Sequence, residues 1–257
     1  MRARRRITLA RDGFPEPAAM DTAVSHATLR LVAQGRLPET LRIHRPGPVL
    51  AFGPRDRVTQ GFPAAVDAAL ARGFGAVLRL AGGRAAVFHP GTIAFSWAIP
   101  DPSPREGIPA RFDELAGIIV EAIGSLGIDA RIGEVPGEYC PGEHSVNARG
   151  RTKLMGVGQR VIAGAAHVGG VVVVSGADRI RDVLTPVYAA LGLDWDPATV
   201  GSLEAEASGI TWDEAEGAIM HRFAARFDLE ERAVSSETLA LADSLVPRHA
   251  LSARVSS

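Results

Sequence analysis

The chain lacks most of the features that mark secreted, membrane-spanning or nucleic-acid-binding proteins. It has one cysteine in 257 residues, which excludes an internal disulfide framework and is typical of a reducing compartment. With a formal net charge of -1, the chain has no excess of positive charge for binding nucleic acid. The longest purely aliphatic run, residues 171–174, is far too short to cross a bilayer, and the N-terminal segment lacks the apolar stretch of a signal peptide. We therefore expect a cytoplasmic protein that binds neither membrane nor nucleic acid.

Hydrophobic residues make up 46% of the chain, enough to bury a substantial core. We expect a single domain over residues 19–250, because no linker of low complexity divides the sequence. The basic start, with Arg2, Arg4, Arg5 and Arg6, predicts a flexible tail over residues 1–18. A second flexible tail is expected over residues 251–257.

Helical and extended patterns occur in clusters and not in strict alternation, which indicates an α+β fold. Met20 and Val24 begin a helical spacing, and another apolar helix is expected to end at Gly127. Thr211 and Glu214 have the spacing of a capping box at the start of a further helix. "LRIHR" and "PVLAFG" predict a hairpin around a Pro-Gly turn, while "SGAD", residues 175–178, is expected to be a connection.

Two glycine-rich segments are candidates for a binding site. In "LRLAGGRAAVFHPG", Gly82 and Gly83 leave backbone amides accessible to a ligand, although a simple β-turn between two strands is the more common explanation of a Gly-Gly pair. The lysine and hydroxyl residue of a phosphate loop are absent there. "GVGQRV" lacks the third glycine of a dinucleotide-binding fingerprint and lies in a β-rich segment, so we reject that interpretation.

The single cysteine, Cys140, lies in the Pro-Gly turn of "EYCPGEHSVN", where a structural cysteine is unusual. Lys153 follows on a predicted strand, a position more often taken by a solvated edge lysine. His89, His144 and His167 are too far apart in sequence to give the spacing of metal ligands, so we predict no metal site.

Two separated blocks together resemble the lipoate and octanoate attachment enzymes. They are "LRLAGGRAAVFHPGTIAFS" and "GRTKLMGVGQRVIAGAAHVGG", and the resemblance extends roughly from Met20 to Glu206. It implies the fold of the biotin and lipoate ligase catalytic domain: a mixed, largely antiparallel sheet flanked by helices. It also implies that residues 19–250 form a catalytic domain whose acyl groove lies beside the Gly-Gly loop.

"EYCPG" before the lysine block resembles the branch that moves octanoyl or lipoyl groups between carrier proteins through a cysteine thioester. The resemblance implies that Cys140 is the nucleophile, that no cofactor is needed, and that Lys153 is the second catalytic residue. We expect Lys153 to stabilise the thiolate and the carbonyl oxygen. The candidate substrate-binding residues are Arg79, Gly82, Gly83, Arg84, His89, Gly156, Gln159 and His167. Of these, Arg79, Gln159 and His167 match the family, whereas His89 departs from the pattern of this branch.

Two alternatives remain open within this resemblance. One is an ATP-dependent ligase that uses ATP with magnesium to activate free lipoate or octanoate as an adenylate. Arg84 in place of a third glycine, and Phe88 with His89 in place of the usual His-Asp pair, depart from the ligase pattern. The other alternative is a non-catalytic module that only binds a carrier or an acid. The implied partners are lipoyl-domain proteins, namely H protein and E2 subunits, or an acyl carrier protein, together with a medium-chain acyl group.

Overall fold

The computed structural model describes residues 4–253. Its helices are α1 (Met20–Ala33), α2 (Phe62–Leu70), α3 (Ile108–Ser125), α4 (Ala177–Leu191), α5 (Leu203–Glu206), α6 (Trp212–Arg226) and α7 (Ser236–His249). Its strands are β1 (Arg6–Ala10), β2 (Thr40–His44), β3 (Val49–Phe52), β4 (Gly75–Leu78), β5 (Ala86–Phe88), β6 (Thr92–Pro100), β7 (Ala130–Ile132), β8 (Val146–Ala148), β9 (Thr152–Ile162), β10 (Ala165–Val173), β11 (Asp228–Glu231) and β12 (Ala250–Leu251). No helix within residues 4–253 is long and apolar enough to cross a membrane.

The strands form two sheets. The large sheet has the order β11-β1-β2-β6-β10-β9-β8-β7, and the small sheet has the order β12-β4-β3-β5. In the large sheet β1 pairs in parallel with β2 and β11, and the other pairs are antiparallel. The predicted α+β class and the mixed, largely antiparallel sheet are therefore confirmed.

Side chains along the central strands of the large sheet point alternately to its two faces, and one of these faces packs into the main core. Ile93, Phe95 and Trp97 on β6 join the main core, where Phe223 of α6 packs edge-on against Trp97. The intervening residues of β6 point to the opposite face, as a pleated strand requires. Helix α1 packs against that face of β6 and β10. The space beside α1 on this face is where the groove described below is formed.

The small sheet packs with helices α2 and α4 around a second core. Leu50 and Phe52 of β3 and Val87 of β5 are fully buried there, together with Ile180 and Leu184 of α4. The Gly-Gly loop connects β4 to β5 at the end of this sheet. The loop is therefore fixed by a different core from the one that holds the central strands of the large sheet.

Several predicted elements are present. Helix α1 begins at Met20, α3 ends before Gly127, and the capping box between Thr211 and Glu214 is formed at the start of α6. The predicted hairpin is wrong, because β2 lies in the large sheet and β3 in the small one. The segment 175–178 includes the start of α4 at Ala177 and is not only a connection.

The predicted N-terminal tail is wrong for residues 6–10, which form β1 between β2 and β11. Ile7 and Leu9 are buried on alternate positions of this strand, so the arginines around them flank a core strand. At the other end, Leu251 pairs with Ala76 and belongs to β12, while residues 254–257 of the predicted tail lie outside the described residues. The assignment of residues 19–250 to a single catalytic domain stays a prediction.

Candidate active site at the end of an apolar groove

A groove of about 430 Å³ lies on the α1 face of the large sheet. Two rows of residues that pair across the strands supply its floor: Arg42–Ser96–Gly169–Gly158 and His44–Ala94–Val171–Gly156. Each row crosses β2, β6, β10 and β9, so the floor is three strand spacings, or about 14 Å, wide. Its small residues leave room for a chain-like ligand. The volume lies within the range of small-molecule pockets.

The two ends of the groove carry different polar groups. We call the end formed by Arg79, Gly83, Arg84, Cys140 and Lys153 the thiol end. We call the end formed by Asp21, Ser25, Arg42 and His44 the distal end.

The sulfur of Cys140 lies directly under the Gly-Gly loop. Its Sγ accepts from the backbone N–H of Arg84 at 3.3 Å, and Nη1 of Arg79 lies 3.7 Å away. A Cβ atom at Gly83 would be only 2.9 Å from Sγ. Glycine at this position is therefore what allows the loop to bring its N–H groups to the sulfur. The Arg84 N–H and the Arg79 guanidinium can therefore both stabilise negative charge on the thiolate.

The backbone of Cys140 is strained and held on both sides. Its φ of 43° lies in the left-handed region, which is unfavourable for a residue with a Cβ atom. Its N–H donates to the hydroxyl of Tyr188 at 2.9 Å, and that hydroxyl donates in turn to the carbonyl of Ala85 at 3.0 Å. Burial raises the pKa of Tyr188 well above its usual value, so the hydroxyl keeps its proton. These bonds fix the position of the thiol relative to the loop.

Lys153 is 1% exposed and holds the cysteine loop through three acceptors. Its Nζ lies 2.8 Å from Glu138 Oε1, 3.0 Å from the carbonyl of Tyr139 and 2.7 Å from the carbonyl of Cys140. Since an ammonium has three donors, all are used. Lys153 and Cys140 therefore meet in one groove, but through the cysteine's carbonyl and not its sulfur. The cation bonded to the sulfur is that of Arg79.

A β-bulge brings Lys153 to this position. Asn147 of β8 pairs with Lys153, whereas the adjacent Val146 pairs with Met155, so Leu154 is the extra residue on β9. A bulge reverses the alternation of the strand that carries it. Lys153 consequently reaches the same side as Gly156, while Leu154 and Met155 both enter the main core.

Most of the predicted substrate-binding residues line the groove: Arg79, Gly82, Gly83, Gly156, Gln159 and His167. Gln159 is fixed against α3, since its side chain accepts from Arg111 at 3.0 Å and donates to the carbonyl of Ile108 at 2.8 Å. His167 is buried, and this burial together with the charge of Arg42 lowers its pKa to about 3. Its ring is therefore neutral near pH 7.

Two predicted residues behave differently. The Arg84 side chain turns away to the buried carboxylate of Asp56 at 3.2 Å, and only its amide faces the sulfur. His89 lies outside the residues that line the groove, where its Nδ1 accepts from the N–H of Gly91 at 3.1 Å. Burial and the charge of Arg179 lower its pKa to about 4. The structure therefore does not bring His89 to the site.

Sequence reasoning missed the distal end and the supports of the cysteine loop. Arg42 and His44 alternate on β2, a buried strand, and that placement of charged residues is a signal for a polar feature inside the fold. Glu138 stands two residues before the cysteine and marks a partner for a buried cation. Nothing in the sequence around Tyr188 on α4 indicates its contact with Cys140, which is 48 residues away.

Comparison with known proteins identifies the family. The model of the lipoyl protein ligase A/B catalytic domain matches residues 17–224. An octanoyl-[GcvH]:protein N-octanoyltransferase of Exiguobacterium sibiricum is 28% identical over 151 residues, covering 54% of this chain and 54% of that protein. A protein of the same name from Kyrpidia tusciae is 31% identical over 160 residues, covering 60% of this chain and 51% of that protein. The chain thus spans about half the length of the curated relatives it matches.

Solved structures show the same fold. A lipoate-protein ligase A bound with ATP superimposes with a TM-score of 0.76 at 20% identity, covering 96% of this chain and 95% of the other. Protein Ta0514 of T. acidophilum, a lipoate protein ligase candidate with bound lipoic acid, gives a TM-score of 0.75 at 20% identity and covers 96% of both chains. These similarities establish the fold that was expected from the two sequence blocks. With the match over residues 17–224, the chain belongs to the family of the lipoyl protein ligase A/B catalytic domain.

Proposed function

We propose that the protein is an acyltransferase that moves an octanoyl or lipoyl group from a carrier domain to a lysine of a lipoyl domain through a thioester on Cys140. The observation that carries this proposal is the position of the sulfur at the end of an apolar groove, 3.3 Å from the amide of Arg84 and 3.7 Å from the Arg79 guanidinium. We assign the protein to the cytoplasm and assign it no cofactor.

The reaction has two balanced steps. In the first, the thiol of Cys140 loses its proton and the resulting thiolate attacks the carbonyl carbon of the carrier-bound acyl group; a C–S bond forms, the bond from the acyl carbon to the carrier's nitrogen or sulfur breaks, and the carrier's amine or thiol leaves with the proton that the thiol lost. In the second, the acceptor lysine's amine attacks the thioester carbon, an amide forms, and the thiol is released. Arg79 and the Arg84 amide stabilise the thiolate in both its roles, as nucleophile and as leaving group.

The groove accounts for recognition of the acyl chain. Burying one methylene contributes about 0.8 kcal/mol, so a chain of seven carbons beyond the carbonyl contributes roughly 5 kcal/mol. The glycines on β9 and β10 provide the space for it. We assign Lys153 to positioning the thiol, because it holds the carbonyl of Cys140 while its charge is neutralised by Glu138.

Names of related proteins support the choice of carrier. The two curated relatives are named for octanoyl transfer from GcvH. A bipartite lipoate protein ligase from Thermoplasma acidophilum, which shares the fold at 19% identity, was studied with its E2 lipoyl domain. We therefore propose H protein as the donor and E2 lipoyl domains as acceptors, with an acyl carrier protein as the alternative donor.

Intact-mass measurement after mixing the protein with octanoylated H protein, without ATP, tests the proposal. We expect one octanoyl adduct, absent in Cys140→Ser, and transfer of the group to an added lipoyl domain. The serine hydroxyl is far less ionised than a thiol at neutral pH, so the variant should fold but not react. Modification of the lipoyl domain by Cys140→Ser at the wild-type rate with octanoate, ATP and magnesium would replace this proposal with the ligase. Binding of a carrier without either reaction would indicate the non-catalytic module.

A further inference from the structure

A fully buried carboxylate, that of Asp56, lies beside the thiol end without lining the groove. Asp56 is in the connection between β3 and α2 and is 0% exposed. Its two neighbours in the chain, Arg55 and Arg57, are exposed. Burying a carboxylate is costly unless it is paired and hydrogen-bonded. The burial of this one side chain in an otherwise exposed turn therefore requires an explanation.

Each oxygen of the Asp56 carboxylate holds a different group. Oδ2 accepts from the N–H of Gly53 at 2.8 Å, and Oδ1 accepts from Nη1 of Arg84 at 3.2 Å. The backbone of Asp56 is fixed as well, because its N–H donates to the carbonyl of Gly53 at 3.1 Å and its carbonyl accepts from the N–H of Thr59 at 3.0 Å. Asp56 therefore connects a hydrogen-bonded turn to the Gly-Gly loop.

Both contacts act on the peptide unit between Gly83 and Arg84. Its carbonyl oxygen belongs to Gly83 and its N–H to Arg84, and in a trans peptide these two groups point in opposite directions. A Cβ atom at Gly53 would lie only 1.7 Å from that oxygen, so the turn packs directly against the carbonyl side. The N–H on the other side lies 3.3 Å from Sγ of Cys140. The peptide unit is thus held between the turn and the sulfur.

The direction of the Arg84 N–H depends on such contacts. Glycine at position 83, with a φ of 103°, restricts the following peptide less than any other residue would. Arg79 limits rotation of the peptide through Nη1, which donates to the Arg84 carbonyl at 2.9 Å. Asp56 limits it directly through the side chain of Arg84 and indirectly through Gly53. Because a hydrogen bond weakens steeply when its donor turns away, these restraints decide whether the N–H reaches the sulfur.

From these contacts we propose that Asp56 is a positioning residue, which fixes the Gly83–Arg84 peptide so that the Arg84 N–H points at the sulfur. The side chain of Arg84 is then the anchor of this peptide and not a ligand of the substrate. The inference deepens the proposed function and rests on it, because the same N–H stabilises the thiolate as nucleophile and as leaving group.

Alkylation by iodoacetamide, followed by intact mass across a range of pH, tests the inference without an acyl donor. Cys140 is the only cysteine in the chain, so one added group reports one thiol. We expect the rate profile of Asp56→Asn to lie about one pH unit above that of the wild type, because a hydrogen bond to an ionised group changes its ionisation equilibrium roughly tenfold. With an acyl donor, kcat for thioester formation at pH 7 should fall about tenfold with little change in KM.

The direction of the shift separates positioning from two simpler effects. Removal of the Asp56 charge, with the Arg84 charge retained, would by electrostatics alone favour the thiolate and move the profile to lower pH. A purely structural role would lower the melting temperature and leave the profile in place. Asp67→Asn is the matched control, because it makes the same exchange at an exposed position on α2 and should change neither the profile nor kcat.

Variants of Arg84 keep the N–H, which belongs to the backbone, and change only its anchor. Arg84→Lys can still pair with Asp56 and should shift the profile less than Arg84→Met does. The double variant Asp56→Asn/Arg84→Met leaves no buried charge unpaired, so it provides the test if a single variant does not fold. Its shift should be no larger than that of Asp56→Asn, since both changes remove the same connection.

An unchanged or lowered profile in the folded Asp56→Asn protein or in the folded double variant would overturn the inference. A shift in Arg84→Lys as large as that in Arg84→Met would do the same, because the ion pair would then not be the anchor. Failure of the proposed function gives a different result. It is seen as the absence of a thioester on wild-type Cys140, while the alkylation profiles still differ as expected.

Discussion

The two ends of the groove are built in opposite ways. At the thiol end the reactive atoms lie in loops, and the cysteine is held by its own backbone groups: its N–H by Tyr188 and its carbonyl by Lys153. At the distal end Asp21 and Arg42 lie on a helix and a strand, and the guanidinium of Arg42 donates to both the carboxylate and the backbone carbonyl of Asp21. The difference indicates where each end is vulnerable. The thiol end depends on the path of the chain, and the distal end depends on the identity of the side chains.

The largest expected effect follows from Lys153→Met. The substitution leaves the carboxylate of Glu138 buried and unpaired and frees the carbonyl of Cys140, so we expect the free energy of unfolding to fall by about 3–5 kcal/mol. Thioester formation should be lost as well. Urea denaturation and intact-mass analysis measure the two effects. Adding Glu138→Gln should restore much of the stability but not the reaction, and recovery of both would show that Lys153 does not position the thiol.

Gly83→Ala is expected to have the next largest effect. A residue with a Cβ atom is strained at the φ of 103°, and the new methyl would lie 2.9 Å from Sγ and 2.8 Å from an Arg79 nitrogen. A displacement of the reacting atoms by about 1 Å can reduce a rate about a hundredfold. Single-turnover acylation should slow to this extent for short and long acyl chains alike.

Gly82→Ala is the matched control for this loop, since a Cβ atom there would have no neighbour within 4 Å. Its acylation rate should stay near that of the wild type. A change confined to long chains in Gly83→Ala would instead indicate that Gly83 borders the acyl chain and not the sulfur.

Tyr188→Phe should have a moderate effect. It removes the acceptor of the Cys140 N–H and the donor to Ala85, so two buried backbone groups lose their partner at a cost of about 1–3 kcal/mol. We expect a lower kcat for thioester formation with little change in KM, because Tyr188 orients the nucleophile without lining the groove. An increase in KM alone would contradict this positioning role.

The smallest expected effect on acyl transfer comes from two histidines away from the thiol, which change stability and not the reaction. Burial lowers the pKa of His26 and of His89 to about 4, from an unfolded value of 6.5. The unfolded chain therefore binds more protons between these values, so stability is complete above about pH 6.5 and declines as the pH falls toward 4. Denaturation curves across this range measure the decline.

His89→Asn keeps an acceptor for the Gly91 amide but does not titrate in this range. The decline in stability should be shallower in this variant, and the rate of thioester formation at pH 7 should be unchanged. A slow variant at pH 7 would return His89 to the list of functional residues.

Part of the floor of the groove was predictable from the sequence, because Gly156 and Gly158 in "TKLMGVGQRV" mark positions on a predicted strand where a ligand can lie against the backbone. The family resemblance indicated that Cys140 and Lys153 belong together. Their actual connection was not predictable, since it depends on a bulge at Leu154 that only the pairing with β8 reveals. The contact of the thiol with Arg84 likewise joins two loops distant in sequence.

Elements formed by distant pairing were the ones missed. Strand β1 lies between β2 and β11, and its local signal is only the short alternation of Ile7 and Leu9, which directly follows a run of arginines. The hairpin prediction was wrong for a related reason: a Pro-Gly turn specifies a change in direction but not that the chain passes from one sheet to another. The distal end combines α1 with β2, and its charges are informative only once that packing is known.

The left-handed backbone of Cys140 implies a trade-off between stability and activity. Holding a residue with a Cβ atom in this conformation costs roughly 1–2 kcal/mol, a cost that glycine does not have. Cys140→Gly is therefore expected to melt at a higher temperature than the wild type while losing the nucleophile. Selection of a variant library for thermal stability alone would therefore favour replacement of Cys140, the only cysteine in the chain. A selection that keeps the nucleophile has to include an assay of acyl transfer in every round.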